Sequence, residues 1–190
     1  MNGGDRLVRE MTLYLCLVPC GAAFSIDSWL KDRKLIRTGQ RVNKNPKIPI
    51  MAMRLIQIQI AFVYFMSGIE KWDSGSWQRG SALYYSFSTN NYARSDWLVA
   101  PFLDGRLGYD LTQVGTAVTL YWEVGFWLLV LWRPTRWAAL AVGVFMHIGT
   151  HVFLMVAYFS IVSVWAYLAY LPYDWVEQLT RWRAIRKARA

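Results

Sequence analysis

The chain has 190 residues, the length of one domain. Apolar residues make up 55% of it and gather in blocks near the ~20 residues a helix needs to cross a bilayer, which excludes an ordinary soluble basic protein. The net charge of +9 collects in residues 31–47 and in the tail "RWRAIRKARA", both flanking apolar helices. That placement argues for topology signals and contact with anionic lipid, and against a nucleic-acid partner.

In chain order, five membrane-spanning helices are expected. The first covers about 8–26 and carries Pro19, so a kink or tilt is expected. Its Cys16 and Cys20 read as buried free thiols, not as a disulfide framework or zinc site. No cleavable signal peptide is visible in "MNGGDRLVREM". A basic loop follows at 31–47, with seven Lys/Arg against one acid. The second span is about 49–70. A long, charge-balanced outer segment, 71–110, holds "WQRGSALYYSFS", which fits a short interfacial or re-entrant helix. Its Trp and Tyr residues fit an aromatic belt. The remaining spans are about 111–132, 136–155 and 157–172, with a break near Val156.

Placing the 31–47 loop in the cytoplasm puts Arg133 and Arg136 of the turn "RPTR" inside, along with the basic tail. The expected fold is therefore an all-α integral membrane protein. It is a polytopic helix bundle with about five transmembrane helices and a long outer loop. The N-terminus lies outside and the C-terminus in the cytoplasm, in a plasma (inner) membrane. Residues 1–172 form the membrane domain and 173–190 a basic cytoplasmic tail.

Ionisable groups at bilayer depth are costly unless paired or hydrated, so each is a functional candidate. Stepping back from Lys71 along the second helix gives Gly68, Tyr64, Ala61 and Gln57, a small and polar stripe that suits a protein-facing side. Two readings stand for Lys71. It snorkels to the interface, pairing with Asp73, or it acts as a base in an apolar niche, a role that the nearby Glu70 and Asp73 would oppose. Glu123 lies ~18 Å below the outer end of its helix and His147 ~16 Å above the inner end of its own. The two are therefore expected to pair, and His151, one turn outward from His147, would extend a polar track toward Lys71. The alternative is a buried pair that only fixes helix packing. Arg54 and Asp27 read as anchors at inner helix ends. No metal site is expected: His-x-x-x-His is weak, and no HExxH glutamate accompanies it.

"RLIQIQIAFVYFMSGIEKWDSGSWQRGSALYYSF", residues 54–87, resembles the horizontally transferred transmembrane (HTTM) domain family, which is related to vitamin K-dependent gamma-glutamyl carboxylases. The shared pattern runs through Gln57, Gln59, Tyr64, Gly68, Lys71, Trp77 and Gly80. Supporting pieces are "FSIDSW", "YWEVGF" with Glu123 and "FMHIG" with His147, and the likeness reaches about residue 172. The resemblance implies that Lys71 is the base that deprotonates a reduced quinone of the vitamin K hydroquinone type. Tyr64, Gly68, Trp77 and Gly80 would then lie near the quinone, and Gln57, Glu123, His147 and His151 would form an intramembrane polar network.

The family pattern begins upstream of "GGDRLVRE", which implies an N-terminally truncated chain. Gly4 stands where the carboxylases carry a histidine, and their large extramembrane portion is missing. Besides an enzyme, a non-catalytic membrane component that binds lipid or quinone, or supports a partner complex, fits the residues. A transporter lacks the inverted repeat or broken helix pair that would support it.

Overall fold

The computed structural model describes residues 3–17, 25–40, 50–89, 91–155 and 157–172. The kink expected at Pro19, Cys20, the stretch 41–47, Val156 and the tail 173–190 lie outside the described residues. The described residues are helical apart from short connections and one isolated β-bridge. They divide into two compact units, residues 1–56 and 57–190.

The first unit holds α1 (Gly3–Cys16), α2 (Ile26–Arg37) and the opening turn of α3 (Met51–Trp72). α1 starts earlier than the expected first span, and its 14 residues extend about 21 Å. α2 corrects the reading of 31–47 as a loop, because its first half is helix. Ser25 caps α2 by accepting a hydrogen bond from the Ser28 amide at 2.9 Å. Asp27 sits in the first turn, with Lys34 and Arg37 in the last, so charge complements the helix dipole at both ends. Regular charge placement, not apolar burial, makes this stretch helical: none of its residues is buried.

In the second unit the segment 71–110 is built, not loop-like. It contains α4 (Gly75–Gln78), α5 (Ala82–Ser88) and α6 (Asp96–Leu103), and α7 (Gly105–Leu131) begins six residues before the expected span. The single interfacial helix expected at 77–88 is divided by Gly80, whose φ of +74° is open to glycine at little cost. α5 and α6 pack on α7, and Phe87, Phe102 and Phe153 form one aromatic cluster with Val99. A backbone clasp joins this segment to the end of α8 (Arg133–Phe153). The Arg94 amide donates to Phe153 O at 2.9 Å, and the Met155 amide to Tyr92 O at 2.8 Å.

The α7–α8 corner is tight because side chains satisfy the last carbonyls of α7. Thr135 Oγ1 donates to Leu129 O at 2.7 Å, and Arg136 Nε to Val130 O at 2.8 Å. α8 stops at Phe153, Leu154 is extended, and α9 (Ala157–Ala166) resumes before a 3₁₀ turn at Tyr167–Tyr170.

α3 and α7, at 22 and 27 residues, are long and apolar enough to cross a bilayer, and Tyr158–Tyr170 is a shorter apolar helix. Their outer faces carry exposed large apolar residues, including Ile58 and Phe62 on α3 and Val114, Leu128 and Leu131 on α7. Phe145 on α8 is 79% exposed. Stripes of this kind are rare on soluble monomers and fit a membrane protein, whose lipid covers them.

Candidate functional site

The site begins with a glycine. A Cβ at Gly68 would lie 2.7 Å from Val124 Cγ2 and 2.9 Å from the Val124 amide nitrogen. Only a residue without a side chain lets α3 approach the α7 backbone this closely. One turn later that proximity brings Lys71 to Glu123. Lys71 Nζ donates to Glu123 Oε2 at 2.5 Å and to Ser67 Oγ at 2.6 Å. The Trp77 ring, on α4, has its centroid 5.2 Å from Nζ, within cation–π range. The Lys71 side chain is 23% exposed and that of Glu123 11%, so the pair is largely buried but lies near an opening.

That opening is a cleft of about 180 Å³. Trp72, Trp77 and Tyr121 give it aromatic walls, Leu120 lies in its wall, and Gln78 supplies an amide. Trp72 and Tyr121 meet edge-on, with centroids 5.9 Å apart. Gly80 also lines the cleft, and its contribution is the turn that folds α4 back toward α7. Lys71 is not in the wall itself; Trp77 belongs both to the wall and to the surroundings of Nζ.

A second polar group lies two turns earlier on the same face of α3. Tyr64 is 1% exposed. Its hydroxyl is 2.6 Å from His147 Nε2 and 2.7 Å from the Tyr167 hydroxyl, joining α3, α8 and the 3₁₀ turn at one oxygen. Trp122 and Phe126 stack edge-on against the Tyr64 ring, both at 4.8 Å between centroids. Gly143 makes room for this junction, since a Cβ there would fall 2.5 Å from both the Tyr167 hydroxyl and Trp122 Cζ2. Gln57 lies two turns before Tyr64 on α3: its Nε2 donates to Ala169 O at 2.5 Å, and its backbone carbonyl accepts from the Tyr170 hydroxyl at 2.6 Å.

The candidates named from the sequence therefore fall into different places. Lys71, Glu123 and Trp77 come together, and Trp77 and Gly80 line the cleft. Tyr64 and Gly68 are taken up in helix packing and do not line it. The expected Glu123–His147 pair is replaced by two others, Glu123 with Lys71 and His147 with Tyr64. The expected Lys71–Asp73 pairing likewise gives way to Glu123. His151 is exposed and stands outside the Tyr64 junction. Ser67 and Tyr167 join these groups only in the structure. Ser67 was legible four residues before Lys71 on the same helix face. Tyr167 gave no signal beyond being one aromatic in an apolar run. Among the described residues no group of three or more His, Cys, Asp or Glu side chains could hold a metal.

The sequence model of the HTTM domain family matches residues 6–175. The chain belongs to the HTTM domain family. No curated protein and no solved structure matches it. Within this HTTM domain the residues of the shared pattern separate by role. Gly68 sets the helix spacing, Tyr64 and Gln57 fix neighbouring elements, and Lys71, Trp77 and Gly80 gather at or beside the cleft.

Proposed function

We propose that this HTTM domain is a multi-pass membrane enzyme of the type related to vitamin K-dependent gamma-carboxylases, with Lys71 as the base that takes a proton from a reduced quinone. The observation that carries the reading is the Lys71 amine, paired with Glu123 and faced by Trp77, next to an aromatic-walled cleft. About five spans, an outer position for the cleft and a cytoplasmic C-terminus complete the proposal. The basic α7–α8 corner with Arg133 and Arg136 supports the cytoplasmic C-terminus.

The cleft suits the head group of such a ligand. It is smaller than the ~300–1,000 Å³ of most ligand pockets, a size that suits a flat ring more than a whole prenylated quinone. Trp72, Trp77 and Tyr121 offer apolar ring faces, and the Gln78 amide can orient an oxygen. A reduced quinone bound there would supply, on reaction with oxygen, the strong base that removes a proton from a glutamate side chain for carboxylation or drives a related oxidation. The protein's own part is to orient the ring, to exclude lipid and water, and to hold a proton at Lys71 Nζ.

The test uses purified protein in liposomes with a reduced naphthoquinone and oxygen, and product epoxide measured by mass spectrometry. Wild type is expected to form epoxide, and Lys71→Ala to lose it by about 100-fold or more while still inserting. Absence of product from wild type, or equal turnover by the variant, contradicts the proposal.

A second reading is a non-catalytic membrane component that binds lipid or quinone, or supports a partner. The Tyr64–His147–Tyr167 junction favours it, because that buried network ties three elements together without reaching the cleft. This reading expects quinone binding with no turnover to lose.

A further inference from the structure

A lysine that already carries its proton cannot take another. Lys71 has two acceptors within hydrogen-bonding distance, Ser67 Oγ and Glu123 Oε2, and an aromatic ring nearby. For Lys71 to serve as a base, its proton must first leave, and the receiving group must be within reach. Ser67 accepts a hydrogen bond but cannot hold an added proton. Glu70 and Asp73, on the same helix and just beyond it, are exposed. His147 is engaged by Tyr64. On α7, Glu123 alone touches Nζ.

We propose that Glu123 is the proton partner of Lys71, a positioning residue that receives the ammonium proton and leaves a neutral amine beside the outer cleft. The Nζ–H bond breaks and an Oε2–H bond forms, with no electron transferred. An ammonium–carboxylate pair becomes an amine–carboxylic acid pair, and the net charge of the pair is zero before and after. Separating that charge across the protein would be costly away from water, and the local transfer avoids it. Nζ is then free to take the proton of the substrate hydroxyl. The inference rests on the reading of Lys71 as a base, and it adds which group keeps the lysine proton before substrate arrives.

Two measurements test it. The first needs no substrate: infrared difference spectra of the reconstituted protein in H₂O and D₂O. Wild type should show a carboxylic-acid C=O band. The band should vanish in Glu123→Gln, which has no carboxyl group, and in Lys71→Arg, because arginine keeps its proton. A wild type lacking the band, or a band that survives in Lys71→Arg, overturns the inference. If Glu123→Gln does not fold, Lys71→Arg alone carries this test.

The second is turnover with reduced naphthoquinone. Glu123→Gln should lower kcat by about 100-fold with KM unchanged, and Glu123→Asp should restore part of the rate. If Glu123 merely clamps an ammonium, Glu123→Gln frees the amine and the rate holds or rises, which also overturns the inference. Loss of turnover in Lys71→Ala with full turnover in Glu123→Gln sinks the proton partner and spares the base. A wild-type infrared band with no wild-type turnover supports the partnership and sinks the enzymatic reading.

Discussion

Two polar groups share one face of α3, and they differ in almost everything else. The Lys71–Glu123 pair joins an amine to a carboxyl group, keeps some exposure and is flanked by a cleft. The Tyr64–His147–Tyr167 junction is built from uncharged hydroxyls and an imidazole, is sealed by Trp122 and Phe126, and joins three elements. Both lie on a stripe that reads as one feature in the sequence. Burial separates them: a polar group beside an opening is available for chemistry, and the same type of group two turns deeper serves mainly to hold the structure together.

The largest expected effect breaks the geometry common to both. Gly68→Val places side-chain atoms inside the Val124 backbone contact and should push α3 from α7. A cost of about 1–3 kcal/mol or more is expected, read as a lower midpoint in detergent melting, with loss of any quinone binding. Gly143→Ala should act on the deep junction alone. It displaces Tyr167 and Trp122, lowers the melting midpoint, and leaves quinone quenching of tryptophan fluorescence in the cleft intact.

Tyr64→Phe is milder. It removes the shared hydroxyl, leaves His147 and Tyr167 each short of a partner, and should cost about 1–3 kcal/mol by melting, with turnover per folded molecule retained. A loss of turnover out of proportion to stability would erase the distinction between the two groups. His151→Ala should be the smallest change, within about 0.5 kcal/mol, because that side chain is exposed and outside both groups.

The comparison also explains what could be read in advance. Spacing along α3 put Gln57, Tyr64, Gly68 and Lys71 on one side, and 3.6-residue periodicity is enough for that. Apolar run lengths located α3 and α7. Pairing across helices was another matter. Counting residues gives height along a helix, so Glu123 and His147 could be set at similar levels, but partner choice depends on how each helix is rotated and how closely it approaches its neighbours. Gly68 and Gly143 decide those approaches, and a glycine in an apolar helix does not announce which neighbour it admits. The helices of segment 71–110 are hard to see in the sequence for a related reason. They are 4–8 residues long, too short to display periodicity, and their stability comes from docking on α7. In α2 the basic residues of the 31–47 stretch suggest a loop, although charges at the correct ends also stabilise a helix.

The most direct test of the central claim is Lys71→Arg in liposomes supplied with a reduced naphthoquinone and oxygen. Arginine can keep a salt bridge to Glu123 but does not release its proton. The account predicts that oxidised naphthoquinone still quenches the tryptophans of the cleft while epoxide formation falls by about 100-fold or more. Epoxide formed at the wild-type rate would contradict it, because the Lys71 amine would then not be the base.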